Sequence, residues 1–364
     1  MADDKTNTAT GIAWNLGDLY AGLDDPKVTR DLDEAQRRAA AFEATHRGKI
    51  VELGPEDGDF LLAAMRELEG LSEQMDKPSI YAMLVHSART DVPTHGALLT
   101  MTRERRTAIN KHLIFFDLEW VKVPAKIVQA LLADPRMTPY RHFLEQKLLW
   151  RPYYLSEPEE KILDEKSVTG RSALGRLFEE TCATLTTDIA GKKASLQEAL
   201  AKLYDPDRET RRLAAQAISQ TLGDNSRLLT FLFNVVVQDH QVDVRLRGYP
   251  GVMFARNLAN EISAEVVEAL MSSVEKRYDL VQRYYRLKGK LLGIDNLQDY
   301  DRYAPLFSDL PSCDWPTARS IVEESYAAMS PDAGKIIREF FDRKWIDAEL
   351  RPGKRGGAFS ASAV

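Results

Sequence analysis

Apolar residues in this chain recur at intervals of three and four far more often than at intervals of two. Over residues 56–75, Phe60, Leu61, Ala64, Leu68 and Leu71 fall on one stripe of a 3.6-residue helix. Residues 27–45 carry charges on one side and Ala, Leu and Phe on the other. That period commits the chain to helices whose apolar faces need covering. Start signals cut the pattern into segments. Ser156-Glu157-Pro158-Glu159 and Ser195-Leu196-Gln197-Glu198 each have the hydroxyl and carboxylate of a capping box, which satisfies free amides of a first turn. Asp205-Pro206 and Ser330-Pro331 place a cap before a proline at the first helical position. Ser263, flanked by Ile262 and Val267, reads as a cap with a hydrophobic staple.

Strand signals are few. Ala183–Ile189 is β-branched and is followed by Gly191, which predicts a short hairpin. The second candidate is Lys354–Ser360. Around it Pro352, Gly353, Gly356 and Gly357 crowd into six positions. That segment reads either as an edge strand or as a flexible tail. The fold expected is mainly α: a large helical body with a short β-hairpin and the beginning of a small catalytic-domain sheet.

The 364 residues exceed what one small core serves, so two or three domains or one large helical body are expected. A net charge of -6 argues against general nucleic-acid binding. One Arg-Gly-Gly at 355–357, in a stretch with five basic and two acidic residues from Arg343 to Arg355, is weak evidence for an RNA-binding tail. No apolar run reaches the length of a membrane span. The start, Met1-Ala2-Asp3-Asp4-Lys5, is polar and acidic, unlike a signal or transit peptide. Cys182 and Cys313 form no paired motif, which fits a cytoplasmic protein, and Cys182 reads as a small core residue. Val274, Tyr278, Val281 and Tyr285 follow helical spacing and read as a packed stripe rather than a substrate-stacking surface.

Several segments together resemble the oligoendopeptidase F family. They include Trp14-Asn15-Leu16-Gly17-Asp18-Leu19-Tyr20, Phe115–Glu119, Tyr140–Glu145, Leu155–Leu163 and Glu165–Ala173. Arg256–Ile262, Tyr284–Lys288 and Asp299–Pro305 continue the series, and Phe340–Ala348 with Lys354–Ser360 close it. The resemblance implies a two-lobed zinc metallopeptidase that cleaves oligopeptides in a channel between its lobes. It implies an N-terminal helical region over 1–203 and an incomplete start of the catalytic domain over 204–364. In that family two histidines of HExxH and a later glutamate hold zinc, and the motif's own glutamate activates water. Two histidines four apart can meet one ion from one helix face.

The six histidines here, His46, His86, His95, His112, His142 and His240, include no pair four apart. There is no GxSxG elbow and no Cys/His arrangement for a nucleophile. The chain is therefore expected to stop short of the zinc motif, to hold no metal and to have no catalytic residue. Its expected partners are oligopeptides and the missing C-terminal half. What the resemblance leaves it is a substrate-contacting edge strand at Gly356, Gly357, Ala358 and Phe359. A non-catalytic helical scaffold that binds peptides or a partner chain is the rival reading.

Overall fold

A computed structural model describes residues 8–307 and 313–363; the polar start Met1–Lys5 lies outside the described residues. Three long helices form the first layer: α1 (Pro26–His46), α2 (Gly58–Ala88) and α3 (Pro93–Asn110). The stripe read from 27–45 is buried as Val28, Leu32, Ala35, Ala39 and Phe42, and it packs on α2. Leu61, Ala64 and Leu71 face it from the α2 stripe. Shorter helices α4 (Ile114–Trp120), α5 (Ala125–Ala133) and α6 (Thr138–Leu149) close the body. Phe115, Phe116 and Trp120 are fully enclosed there, and the Trp120 indole donates to the Leu144 carbonyl at 3.0 Å. The core so formed runs from Tyr20 to Leu144 in sequence.

Helices α7 (Glu157–Thr169) and α8 (Arg171–Thr184) lean on this body. Ser156 and Glu159 form the capping box expected at the start of α7. The expected hairpin is present as β1 (Thr186–Ile189) and β2 (Lys192–Ser195), antiparallel, with Thr187 opposite Ala194. Ser195 and Glu198 then cap α9 (Leu196–Ala201).

The rest is α10 (Arg208–Asp224), α11 (Ser226–Arg247), α12 (Phe254–Ala259), α13 (Ala264–Glu275), α14 (Tyr278–Leu292), α15 (Trp315–Met329) and α16 (Pro331–Asp342). Ser263 caps α13, as read from the sequence. One cap falls elsewhere: α10 starts at Arg208 under Asp207, whose side chain accepts from the Thr210 amide. Asp205 instead accepts from the Asp207 amide, so Pro206 sits in a turn before the helix. Asp301 is the polar centre of this region. Its fully buried carboxylate takes Arg211 at 2.9 Å and Arg208 at 2.8 Å. Burial pushes its pKa up, but Arg208, the Gln298 amide and Arg211 outweigh that and hold it at about 2.

Three expectations are corrected. Lys354–Ser360 joins no strand, and the hairpin is the one sheet among the described residues. The reason is local: the Arg355 amide donates to the Ser87 carbonyl at the end of a helix, and Gly357 has a left-handed φ of 81°. Nor is this stretch a loose tail, because it is fastened to the body at several points described below. Lastly, Val274, Tyr278 and Val281 lie open to solvent on α13 and α14 rather than packed, because no described element covers that side. Cys182 is half-buried, and burial pushes its thiol pKa up. No helix among the described residues is long and apolar enough to cross a membrane.

Candidate functional site

The four residues singled out, Gly356 to Phe359, lie where the C-terminal segment crosses the first layer. Three parts of the fold hold it there. The N-terminal segment comes first: the Asn15 amide donates to the Lys344 carbonyl at 2.7 Å, and the Ala348 and Glu349 amides donate to the Ile12 carbonyl at 2.9 Å. The Trp345 indole donates to Asp18 at 3.1 Å. Trp14 meets Phe359 edge-on, with ring centroids 6.3 Å apart. The loop after α2 comes second. The Gly353 carbonyl accepts from the Thr90 amide at 2.7 Å and from the Thr90 hydroxyl at 2.8 Å. Third, Arg355 reaches α8, pairing with Glu179 at 2.8 Å, and its guanidinium lies 5.5 Å from the Phe359 ring centre.

Gly353 is demanded by this route. Gly353 has a φ of +73°, and a Cβ on it would come 2.1 Å from Asp91 Oδ1. A Cβ on Gly356 would come 2.1 Å from Gln197 Nε2. The backbone at Gly353 thus approaches Asp91 more closely than a side chain there would permit. Asp347 supplies the polar anchor: its carboxylate is 1% exposed and is met by Arg351 at 2.6 Å and Lys354 at 3.3 Å.

The six histidines are scattered. His46 Nε2 lies 3.0 Å from Glu67, and His112 Nδ1 lies 2.5 Å from Glu43. His142 faces Glu261, while His95 and His240 face the carbonyls of Arg89 and Val252. His86 is buried 3.3 Å from Glu180, and burial holds its pKa down against that carboxylate, which favours the neutral ring. No three His, Cys, Asp or Glu side chains among the described residues converge in a way that could hold a metal ion. The described residues offer no donor set that fits a zinc ion.

A crevice of about 600 Å³ opens between the body and helices α7 and α11. Its walls are salt-bridged. Arg247 grips Glu160 with two bonds, at 2.6 and 2.8 Å. Lys147 pairs with Asp117 at 2.6 Å, and the Tyr154 hydroxyl donates to Asp117 at 3.3 Å. Burial and Asp117 push the Tyr154 pKa up, so that phenol keeps its proton. These groups are occupied with one another. They fix α7 and α11 against the body and offer neither a free base nor an activated nucleophile.

The sequence pointed to 356–359 but not to what holds them. Trp14, Asn15, Asp18 and Asp347 lie in stretches that carry the resemblance, and Thr90 and Asp91 carry no local signal. The one local signal was the crowding of glycines after Pro352, where a turn with positive φ is the ordinary use of Gly.

Comparisons with known proteins agree on one relationship. The family profile for Oligopeptidase F matches residues 119–186, and that for Peptidase family M3 matches residues 201–311. Group B oligopeptidase PepB of Streptococcus agalactiae is 25% identical over 374 residues, covering 100% of this chain and 60% of its own length. Oligopeptidase PepF of Bacillus subtilis is 26% identical over 99% of this chain and 54% of its own length. Among solved structures, oligoendopeptidase-F from Enterococcus faecium matches with a TM-score of 0.68 at 18% identity, over 91% of this chain and 69% of that one. The chain spans about 60% or less of the length of these two curated relatives.

Proposed function

The chain belongs to the oligoendopeptidase F family of peptidases, and from that premise we propose that it is the front part of a zinc-dependent endopeptidase acting on oligopeptides, inactive by itself. In this reading residues 1–203 are the N-terminal lobe and 204–364 the start of the catalytic domain. Gly356, Gly357, Ala358 and Phe359 contact substrate. The zinc ligands and the general base come from sequence outside these 364 residues, and the protein works in the cytoplasm. The observation that carries the reading is the dispersal of the histidines: each ring is engaged singly with a carboxylate or a carbonyl, and no two share a site. No step through zinc follows from these residues.

What this chain's own residues can do is bind. Gly357 carries no side chain and has open space where one would stand, so an extended peptide backbone can approach it closely, each main-chain hydrogen bond adding about 0.5–1.5 kcal/mol. Phe359, backed by Trp14 and Arg355, offers an apolar ring beside that backbone.

Calorimetric zinc titration alongside a quenched nonapeptide substrate tests the proposal. The expected result is no stoichiometric tight binding and no cleavage. Metal-dependent cleavage that a chelator abolishes would overturn it. Adding a separate chain that carries HExxH is expected to restore cleavage. A second reading, a non-catalytic scaffold that captures a partner chain, is favoured by the open apolar faces of α13 and α14, where Leu270 and Leu291 are each 62% exposed. A monodisperse monomer that binds no hydrophobic dye would count against both the scaffold and the missing half.

A further inference from the structure

Asp347 is a buried carboxylate to which the proposed function gives no task. Arg351 and Lys354 both address its Oδ2, while Oδ1 has no hydrogen-bond partner. Two cations on one oxygen and an idle acceptor beside it is a costly arrangement for a buried acid. The surroundings enforce it. Arg351 Nε donates to the Ala88 carbonyl at 3.1 Å, and Lys354 Nζ donates to the carbonyls of Asp347 and Glu349 at 2.8 and 2.9 Å. Residues 347–354 are thereby folded back upon themselves, with the Gly353 carbonyl turned out to Thr90.

We propose that Asp347 is the positioning residue that fixes where Gly356–Phe359 lies. The inference rests on the reading of those four residues as a substrate-contacting segment, and it adds the device that sets their place. Lys354 is one residue from the Arg355 amide, which donates to Ser87, and two from Gly356, which abuts Gln197. A carboxylate that holds both Arg351 and Lys354 clamps the Pro352–Gly353 turn from its two ends. Without the negative charge, the two cations keep one partial counter-charge, Glu349, 3.5 Å from Arg351. They then swing toward water, and the turn leaves Thr90.

Hydrogen exchange on the full chain reads this directly. Asp347→Asn is expected to speed exchange of the Thr90 and Arg355 amides by about tenfold or more and to shift Trp14 emission as Phe359 departs. The Leu32 and Leu61 amides in the body should be unchanged. Gly353→Ala should give the same pattern from the other end of the turn. Asp347→Glu, which keeps the charge, should restore most of the protection. Wild-type exchange in Asp347→Asn, or equal acceleration of the body amides, overturns the proposal. A labelled nonapeptide separates the two readings. If it binds neither wild type nor variants, the substrate reading fails, while the exchange data still decide what Asp347 does.

Discussion

The two halves of this molecule use the same local grammar and end differently. From Tyr20 to Leu144, amphipathic helices meet face to face, and Leu32, Phe42, Leu61, Phe115 and Trp120 are sealed from solvent. From Arg208 to Trp345, helices just as regular leave Phe231, Phe233, Leu270, Leu280 and Leu291 open, Phe233 by 69%. A side-chain cap is found in both halves, Asp25 on α1 and Ser263 on α13, so caps do not explain the contrast. A cap acts on its own first turn, whereas burial needs a second surface at the right distance. The second half instead draws its order from a polar knot: Asp301 with Arg208 and Arg211, and Lys288 donating to the Arg302 carbonyl at 2.8 Å. The first half is thus held by area and the second by charge.

The largest effect should follow from cutting into the sealed half. Trp120→Ala removes the largest enclosed ring and its bond to Leu144, and should cost about 3–5 kcal/mol in urea unfolding followed by helical circular dichroism. An effect near zero would break the comparison, since it would mean the first half is not area-dominated.

The polar knot should respond next. Asp301→Asn leaves Arg208 and Arg211 without a counter-charge and should destabilise the second half by about 3 kcal/mol. Acid should mimic it. The folded carboxyl, at about 2, lies below its ordinary 3.8, so its contribution is complete above the ordinary value and fades as pH falls toward 2. Exchange protection of residues 208–217 should fall over that window before that of residues 32–42. Simultaneous loss in both halves would sink the assignment of charge to the second.

Much of this was legible in the sequence, and the failures share a cause. The stripe at Phe60–Leu71, the boxes at Ser156 and Ser195 and the hairpin after Ala183 are each set by residues within a turn or two. The C-terminal segment was misread because its partners are remote: Gly353 and Thr90 stand 263 positions apart. Val274, Tyr278 and Val281 were misread for the opposite reason. Period alone says that one face of a helix is apolar, not that anything lies against it. Asp205-Pro206 lost its place to Asp207 because two acids two residues apart compete for one helix start, and the second has the Thr210 amide in reach.

A smaller effect tests whether the shared grammar carries equal weight in both halves. Asp25→Ala removes the acceptor for the Lys27 amide at the start of α1 and should cost about 1 kcal/mol, as should Ser263→Ala at the start of α13. Unequal costs would show that the exposed helix already frays at its cap.

The smallest effect is the most telling. Leu270→Ser with Leu291→Ser removes two side chains that touch mainly water, so stability should move by less than about 0.5 kcal/mol. Dye binding and light scattering should both drop, because those side chains extend an apolar surface of the kind that captures ligands and partners. A loss of stability comparable to that of Trp120→Ala would mean the faces are covered in solution, by a second copy of the chain, and that the contrast between the halves belongs to the monomer alone.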